Sequence, residues 1–224
     1  MNFSTIESIN DAFYSNTAQR QHHLDKAKDI LSAIEGRLGW TNGSVLALGR
    51  SWLSEHLIEL GHQVIFPNEL SSNSKFSIIL AMDEILTKEE HEQDQRKHIT
   101  QLVELLDKDG LLIASLRDFK NSNFHRRPLG DSCSNNIDNH KIVTLEVNDL
   151  SQRDKQSWIQ KLYVTVDDNE FTCLNLGKRR TLYFKQLAKY CLDAGAPEFG
   201  VIKDTFWRNH LRRSPEHIVF ARRS

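Results

Sequence analysis

The sequence predicts an α/β fold, a short parallel sheet interleaved with helices and carrying an inserted antiparallel cap. Three observations predict it. Short apolar runs near 44–49, 64–66, 76–81 and 111–115 have the character of strands covered on both faces. Segments with helical apolar spacing separate these runs, as βαβ units require. Beyond residue 140 the pattern changes to strand-like runs joined by short connections, the mark of antiparallel pairing.

The elements follow in order. Residues 1–40 read as helix, with Leu24, Ala27, Leu31 and Ile34 at helical spacing and Gly36 as its stop. The charged opposite face suggests a helix lying across the sheet edge or over a cleft. Ser44-Val45-Leu46-Ala47-Leu48-Gly49 reads as a first strand, 53–60 as a helix closed by Gly61, and Val64-Ile65-Phe66 as a strand stopped by Pro67. Phe76 to Ala81 is a third strand. A polar helix from about Glu89 buries Ile99, Leu102, Val103 and Leu106, and Asp109-Gly110 turns into a strand over 111–115. Together 44–118 form the parallel core. The polar stretch 121–139, with Pro128 and Gly130, reads as a surface loop. Runs at 141–147, 158–166 and 170–176 form the cap, so the insertion spans 141–176. A helix over 181–194 turns Phe184, Leu187, Ala188 and Cys191 inward and ends at Gly195. Runs at 199–202 and 217–221 close the fold, so 180–224 is a closing helix and hairpin within a single domain.

Composition bounds the function. The 224 residues carry 29 Lys+Arg against 30 Asp+Glu, a formal net charge of -1, which excludes a general polyanion binder and argues against nucleic acid. Cys133, Cys173 and Cys191 have no C-x-x-C spacing, so neither a zinc site nor a disulfide framework is expected, and a reducing cytoplasm fits. The start, Met1-Asn2-Phe3-Ser4, has no charged segment followed by an apolar run, and no stretch has the length of a membrane span. His22 and His23 are adjacent on a helix and diverge by about 100°, which is unsuited to one metal. Arg208, His210, Arg212 and Arg213 read as a solvated charged face.

Four stretches, in this order and spacing, resemble the class I S-adenosylmethionine-dependent methyltransferases. They are Val45-Leu46-Ala47-Leu48-Gly49, the run from Phe76 to Leu86, Leu105-Leu106-Asp107-Lys108-Asp109-Gly110-Leu111-Leu112-Ile113, and the closing segment from Arg180 to Arg223. The resemblance implies a Rossmann-like fold, S-adenosylmethionine as cofactor, and a small-molecule methyl acceptor. The family's cofactor loop, D-x-G-x-G-x-G, is represented by Ala47-Leu48-Gly49-Arg50-Ser51-Trp52-Leu53, with one glycine. Only about nine residues separate Phe66 from Phe76, which implies that the family's usual third strand is deleted and the sheet shortened.

The resemblance places cofactor contacts at Gly49, Arg50, Ser51, Trp52, Asn68, Glu69 and Ala81. Glu69 can serve as the ribose acid at the end of the second strand if its loop shifts. Arg50, Ser51 and Trp52 either contact a ligand at a helix N-terminus or plug a lost cofactor site. Asp83 and Glu84 follow the third strand where the family faces methyl and acceptor. A carboxylate there can orient an amine or accept its proton, and the structural alternative is a helix N-cap. Ser115-Leu116-Arg117-Asp118-Phe119 is similar to a segment of glycine N-methyltransferase-like enzymes. It implies substrate contacts at Arg117 and Asp118, with the planar guanidinium holding a carboxylate by two parallel bonds, or alternatively an internal ion pair.

The leading reading is a methyltransferase for a small amine or carboxylate-bearing acceptor. The alternative is a degenerate binding or regulatory subunit with a protein partner or a homo-oligomeric role, which the single glycine favours and the retained Asp83, Glu84, Arg117 and Asp118 oppose. The loop predicts weak cofactor affinity, because bulky residues restrict close backbone approach. A nicotinamide-dependent dehydrogenase is set aside, since no G-x-G-x-x-G follows the first strand.

Overall fold

The structure, a computed structural model, describes residues 17–71, 74–83, 85–117, 129–137, 140–149, 157–167, 169–205 and 216–224. The chain divides into two compact units. One is built from residues 24–122 and 180–224, and the other centres on 123–179.

The first unit contains helices α1 (Thr17–Leu38, from residue 24 on), α2 (Trp52–Glu59), α3 (Glu92–Glu104) and α4 (Phe184–Asp193). Its strands are β1 (Val45–Ala47), β2 (Val64–Ile65), β3 (Phe76–Ala81), β4 (Leu106–Arg117), β9 (Glu198–Thr205) and β10 (Glu216–Arg222). The strand order is β2-β1-β3-β4-β10-β9. The first four are mutually parallel, and β10 runs antiparallel to both β4 and β9. The edge strand on one side is β2. Between it and β3 the described residues form a 3-10 turn, Pro67–Glu69, and no strand, so the sheet is shortened where the spacing of Phe66 and Phe76 expected it.

Alternation along each strand divides the core between the two faces. Leu46, Ile79, Ala81, Leu112 and Ala114 join one buried cluster with Ile99, Leu102 and Val103 of α3 and Leu187, Tyr190 and Cys191 of α4. Their neighbours Val45, Ala47, Ile78, Leu80, Leu111 and Ile113 join a second cluster with Ala27, Ile30, Leu31 and Ile34 of α1 and Leu53 and Leu57 of α2. Each fully buried aliphatic side chain contributes roughly 1.5–3 kcal/mol. This places α1 on a sheet face beside α2, a correction to the expected edge or cleft position, because its apolar stripe has a broad sheet surface to cover. Gly36 does not stop α1. The helix runs to Leu38 and ends at Gly39, whose φ is +70° and whose amide donates to Glu35 O at 3.0 Å. The Arg37 guanidinium, donating to Ile202 O at 2.6 Å, holds that last turn to β9.

Strand β4 begins earlier than its apolar run. While β3 advances from Phe76 to Ile78, β4 advances from Leu106 to Leu111, so Asp107-Lys108-Asp109-Gly110 forms a bulge rather than a turn outside the sheet. A Cβ at Gly110 would meet the carbonyl oxygens of Asp107 and Phe76 at 2.9 Å, which only glycine avoids. Arg223 locks the bulge from the C-terminus. Its amide donates to Gly110 O, its carbonyl accepts from Asp109 N, both at 3.0 Å, and its guanidinium caps Glu104 O and Leu106 O at the end of α3.

Helix α4 starts at Phe184, after an extended lead-in of buried Thr181 and Leu182. Phe184 faces outward at 39% exposure, against the inward position expected of it, and packs edge-on to Phe199 at 4.9 Å. Ala188 is half-buried, and Tyr190 takes the inward place instead. The Tyr190 hydroxyl donates to Glu92 at 2.8 Å; burial, followed by this carboxylate, pushes its pKa up to about 12.

The second unit is a four-stranded antiparallel sheet, β5 (Leu129–Ile137), β6 (His140–Asp149), β7 (Ser157–Val166) and β8 (Thr172–Arg180), in sequential order. The cap runs expected over 141–176 are therefore three of four strands. The correction concerns 129–137, whose polar residues read as loop but pair with β6; backbone pairing tolerates polar side chains where a strand has an exposed face. Residues 121–128 lie outside the described residues.

Asp167, at φ +53° after β7, ties this sheet's end together. One carboxylate oxygen contacts His140 Nδ1 at 2.6 Å and the other accepts the Lys141 amide at 2.8 Å, and these bonds, in that order, hold its pKa below the ordinary 3.8. A depressed carboxyl stabilises the fold above its unfolded pKa and loses that contribution as pH falls through the folded value. Protection of the Lys141 amide against hydrogen exchange is thus expected to drop as pH is taken below 3.8, while Val164 keeps its protection. Asp167→Asn should abolish the pH dependence.

Candidate functional site

Strand order reverses between β1 and β3. From β1 the chain goes to β2 on one side, and from β3 to β4 on the other, which makes the carboxyl ends of these strands the crevice where open α/β sheets take ligands. Leu48 N donates to Leu80 O at 3.0 Å, so β1 and β3 stay paired up to the rim. Gly49 to Trp52 follow β1, Asn68 and Glu69 follow β2, Ala81 and Asp83 close β3, and Arg117 closes β4. Topology thus brings the candidate residues to one sheet edge. Glu84 and Asp118 lie outside the described residues.

After β1, Gly49 packs under Ile85, since a Cβ at 49 would stand 3.2 Å from Ile85 Cδ1. Ile85 belongs to a 3-10 turn, Ile85–Thr87, that follows β3. The single glycine is therefore used for a close approach between two loops at the rim. Sequence reasoning passes over Ile85, because an aliphatic residue after a strand reads as ordinary core. Arg50 is exposed and holds Glu55 of α2 through Nε at 2.8 Å and Nη2 at 3.4 Å. That pairing ties the guanidinium to the first turn of α2.

Ser51 is the N-cap of α2. Its hydroxyl accepts from Ser54 N at 3.2 Å, and Ser54 Oγ accepts from Ser51 N at 2.9 Å. Both serines are buried, so the box meets two amides that water does not reach. Trp52 is half-buried against the cluster under α1 and α2. In this loop Ser51 caps α2 and Trp52 packs into the core cluster.

At the end of β2 the Pro67–Glu69 turn folds back. Glu69 Oε2 accepts from Phe66 N at 2.9 Å, which returns an exposed carboxylate to the strand terminus. Asn68, in the same turn, is exposed too.

Ala81 is fully buried at the last position of β3. Asp83 is exposed two residues on, with φ +54°. That left-handed conformation costs an L-residue roughly 1–2 kcal/mol, and Asp is among the few that tolerate it. Asp83 heads no α-helix, and a 3-10 turn follows it. Arg117 is half-buried, with Glu216 of β10 opposite it in register. A surface hollow of about 440 Å³ lined by Gln93, Arg96, Lys97, Thr100, Gln101 and Glu104 runs along α3 and contains none of the candidate residues. Among the described residues no three His, Cys, Asp or Glu side chains gather as a metal site, and no helix is long and apolar enough to cross a membrane.

No protein-family model matches the chain, and no curated protein matches it by sequence. Solved structures do match. DesVI of Streptomyces venezuelae is similar over 100% of both chains, with a TM-score of 0.65 at 11% identity. An S-adenosylmethionine-dependent methyltransferase from Clostridium acetobutylicum is similar over 98% of this chain and 99% of its own, at TM-score 0.60 and 12% identity. The sugar N-methyltransferase KedS8 from Streptoalloteichus is similar over 96% and 93%, at TM-score 0.59 and 12% identity. The chain has the fold of the S-adenosylmethionine-dependent methyltransferases.

The role of Ser51 separates a cap from a ligand contact. Removing the hydroxyl by Ser51→Ala is expected to lower folding stability by about 1 kcal/mol, read from urea unfolding midpoints. A stability within about 0.5 kcal/mol of the parent, the scatter of unrelated surface substitutions, would contradict the capping assignment.

Proposed function

We propose that the chain is an S-adenosylmethionine-dependent methyltransferase acting on a small amine or carboxylate-bearing acceptor, with an amine as the methylated group. The observation that carries this reading is the folded-back Glu69, an exposed carboxylate at the end of β2 beside the β1–β3 crevice. Two hydroxyls of a ribose are what such a carboxylate is suited to accept. Glu69 and Asn68, both exposed after β2, are the residues that would hold the ribose, while Gly49 lies under Ile85 and Ala81 is fully buried. KedS8, named as a sugar N-methyltransferase, supports an amine nucleophile.

When bound, S-adenosylmethionine supplies a methyl group on a sulfonium, activated for in-line displacement. The protein's part is alignment and proton management. Asp83, exposed after β3 with φ +54°, would orient an acceptor amine and take its proton, which keeps the nucleophile neutral. Arg117, at the end of β4, carries the planar fork that would anchor an acceptor carboxylate. Arg50 serves the site by fixing the first turn of α2 through Glu55.

Calorimetric titration with S-adenosylmethionine tests the reading. Binding in the range of tens of micromolar is expected, weaker than a glycine-rich loop would provide. Glu69→Gln keeps an oxygen for the Phe66 amide but loses the charge. A lost charge-assisted pair is worth about 1.5–3 kcal/mol, so affinity should fall at least tenfold with an unchanged thermal midpoint. No heat of binding at millimolar cofactor would overturn the proposal in favour of a cofactor-free binding subunit.

Arg117→Lys tests the acceptor anchor. With amino sugars and amino acids offered as acceptors and S-adenosylhomocysteine formation as the readout, KM for a carboxylate-bearing acceptor should rise about ten- to hundredfold, with little change in thermal midpoint. A lowered midpoint with unchanged KM would make Arg117 a structural ion-pair partner.

A further inference from the structure

Gln95 stands out on α3 as a buried polar residue among apolar ones. It is 1% exposed, in the first turn of the helix, while Ile99, Leu102 and Val103 on the same helix build the core. Its Nε2 donates to Leu86 O at 3.0 Å. That bond assigns the amide's orientation, since a carbonyl can only accept. Its Oε1 is buried and meets no partner among the described residues. A methionine or leucine would fill the same space without the unmet Oε1, but would take the donor away from Leu86 O. The one bond that the side-chain amide makes among the described residues is the one to Leu86.

Leu86 is the middle of the Ile85–Thr87 turn and is itself fully buried. On one side, Ile85 lies over Gly49 at the end of β1, and its amide donates to Met82 O at 3.2 Å. On the other, Glu89 meets His98 Nδ1 of α3 at 2.9 Å. Residues 85–89 are thus fastened to α3 at two points and to the β1 loop at one, and Ile85 N ties them to Met82 O beside Asp83. Asp83, with its left-handed backbone, is carried in that segment.

We propose that Gln95 is a positioning residue of the methyl-transfer site: through Leu86 it sets the height of the segment that carries Asp83 and closes over Gly49. The inference rests on the methyltransferase reading of this site. Gln95 touches no reacting group. Its effect passes through the backbone of residues 85–87, so losing its donor frees that segment before it unfolds the core.

The test compares three full-length variants. Gln95→Met removes the donor at similar volume. Val103→Ala removes core packing elsewhere on the same helix. Gln95→Glu is the rescue. Its buried carboxyl is held protonated at low pH by desolvation and then donates to Leu86 O, whereas the ionised form at higher pH opposes that carbonyl. Hydrogen exchange at residues 85–88, the thermal midpoint and calorimetric affinity for S-adenosylmethionine are measured on each. Gln95→Met should speed exchange at 85–88 at least tenfold relative to 78–81 and weaken the cofactor about tenfold. Val103→Ala should lower the midpoint and leave both unchanged. Gln95→Glu should show parent-like protection at 85–88 at pH 5 and lose it by pH 8. A Gln95→Met protein whose midpoint falls while exchange and affinity match Val103→Ala overturns the proposal, as does a Gln95→Glu protein with parent-like protection at both pH values. If Gln95→Met does not fold, the pH dependence of Gln95→Glu decides. If the parent itself fails to bind S-adenosylmethionine, the methyltransferase reading falls, and exchange at 85–88 still decides whether Gln95 holds the segment.

Discussion

Strand β3 is covered on both faces, and the first unit is arranged around that burial. Ile78 and Leu80 face α1 and α2, while Ile79 and Ala81 face α3 and α4. A parallel strand with both faces in apolar surroundings must have a partner on each edge for its backbone groups, and β1 and β4 supply them. Because the crossovers leave β1 and β3 in opposite directions, the carboxyl ends of these two strands lack a covering connection between them. The crevice is a consequence of the core's order.

What occupies that rim is a set of local compromises. One glycine is used to bring two loops together, with Ile85 seated where a side chain at 49 would be. An aspartate adopts a backbone conformation that most residues avoid. A buried glutamine leaves one acceptor unmet. None of these improves the core; Gly49 and Asp83 closely follow the ends of β1 and β3, and Gln95 reaches the same rim from α3 through Leu86 O. The serines at the start of α2, by contrast, satisfy each other fully and stabilise the helix they head. The rim thus holds residues that secure the scaffold, Ser51, Ser54 and Trp52, beside two exposed carboxylates at the ends of β2 and β3, Glu69 and Asp83.

The far end of the sheet is secured differently. Gly110 permits a backbone approach of 2.9 Å that any Cβ would block, and Arg223 spans the bulge and the end of α3. The main-chain pairing of Arg223 with Asp109 and Gly110 brings the C-terminus into the same lock. An element near the last residue therefore stabilises the helix whose other end presents Gln95 to the rim.

The sequence by itself determined the parallel core, because burial on both faces leaves continuous apolar runs: 45–47, 76–81 and 111–115 are strands where those runs lie. It also determined the shortened sheet, since nine residues between Phe66 and Phe76 cannot hold a strand with a crossover. It placed Gly49, Glu69, Asp83 and Arg117 at strand ends, because each directly follows or ends an apolar run. Tertiary structure alone decided the rest, and in each instance the cause is an interaction between residues distant in sequence. Strand 129–137 exists because β6 offers it a ladder, although its side chains are polar. Helix α1 runs through Gly36 because Ile34 and Arg37 find partners on the sheet. Phe184 turns outward against Phe199 of β9, while Tyr190 takes the buried position and reaches Glu92 of another helix. Glu69 returns to the end of β2 because a 3-10 turn after Pro67 reverses the chain. Periodicity reports burial, and burial specifies strands and helices. It carries no information about which distant atom a buried amide or a folded-back carboxylate will meet.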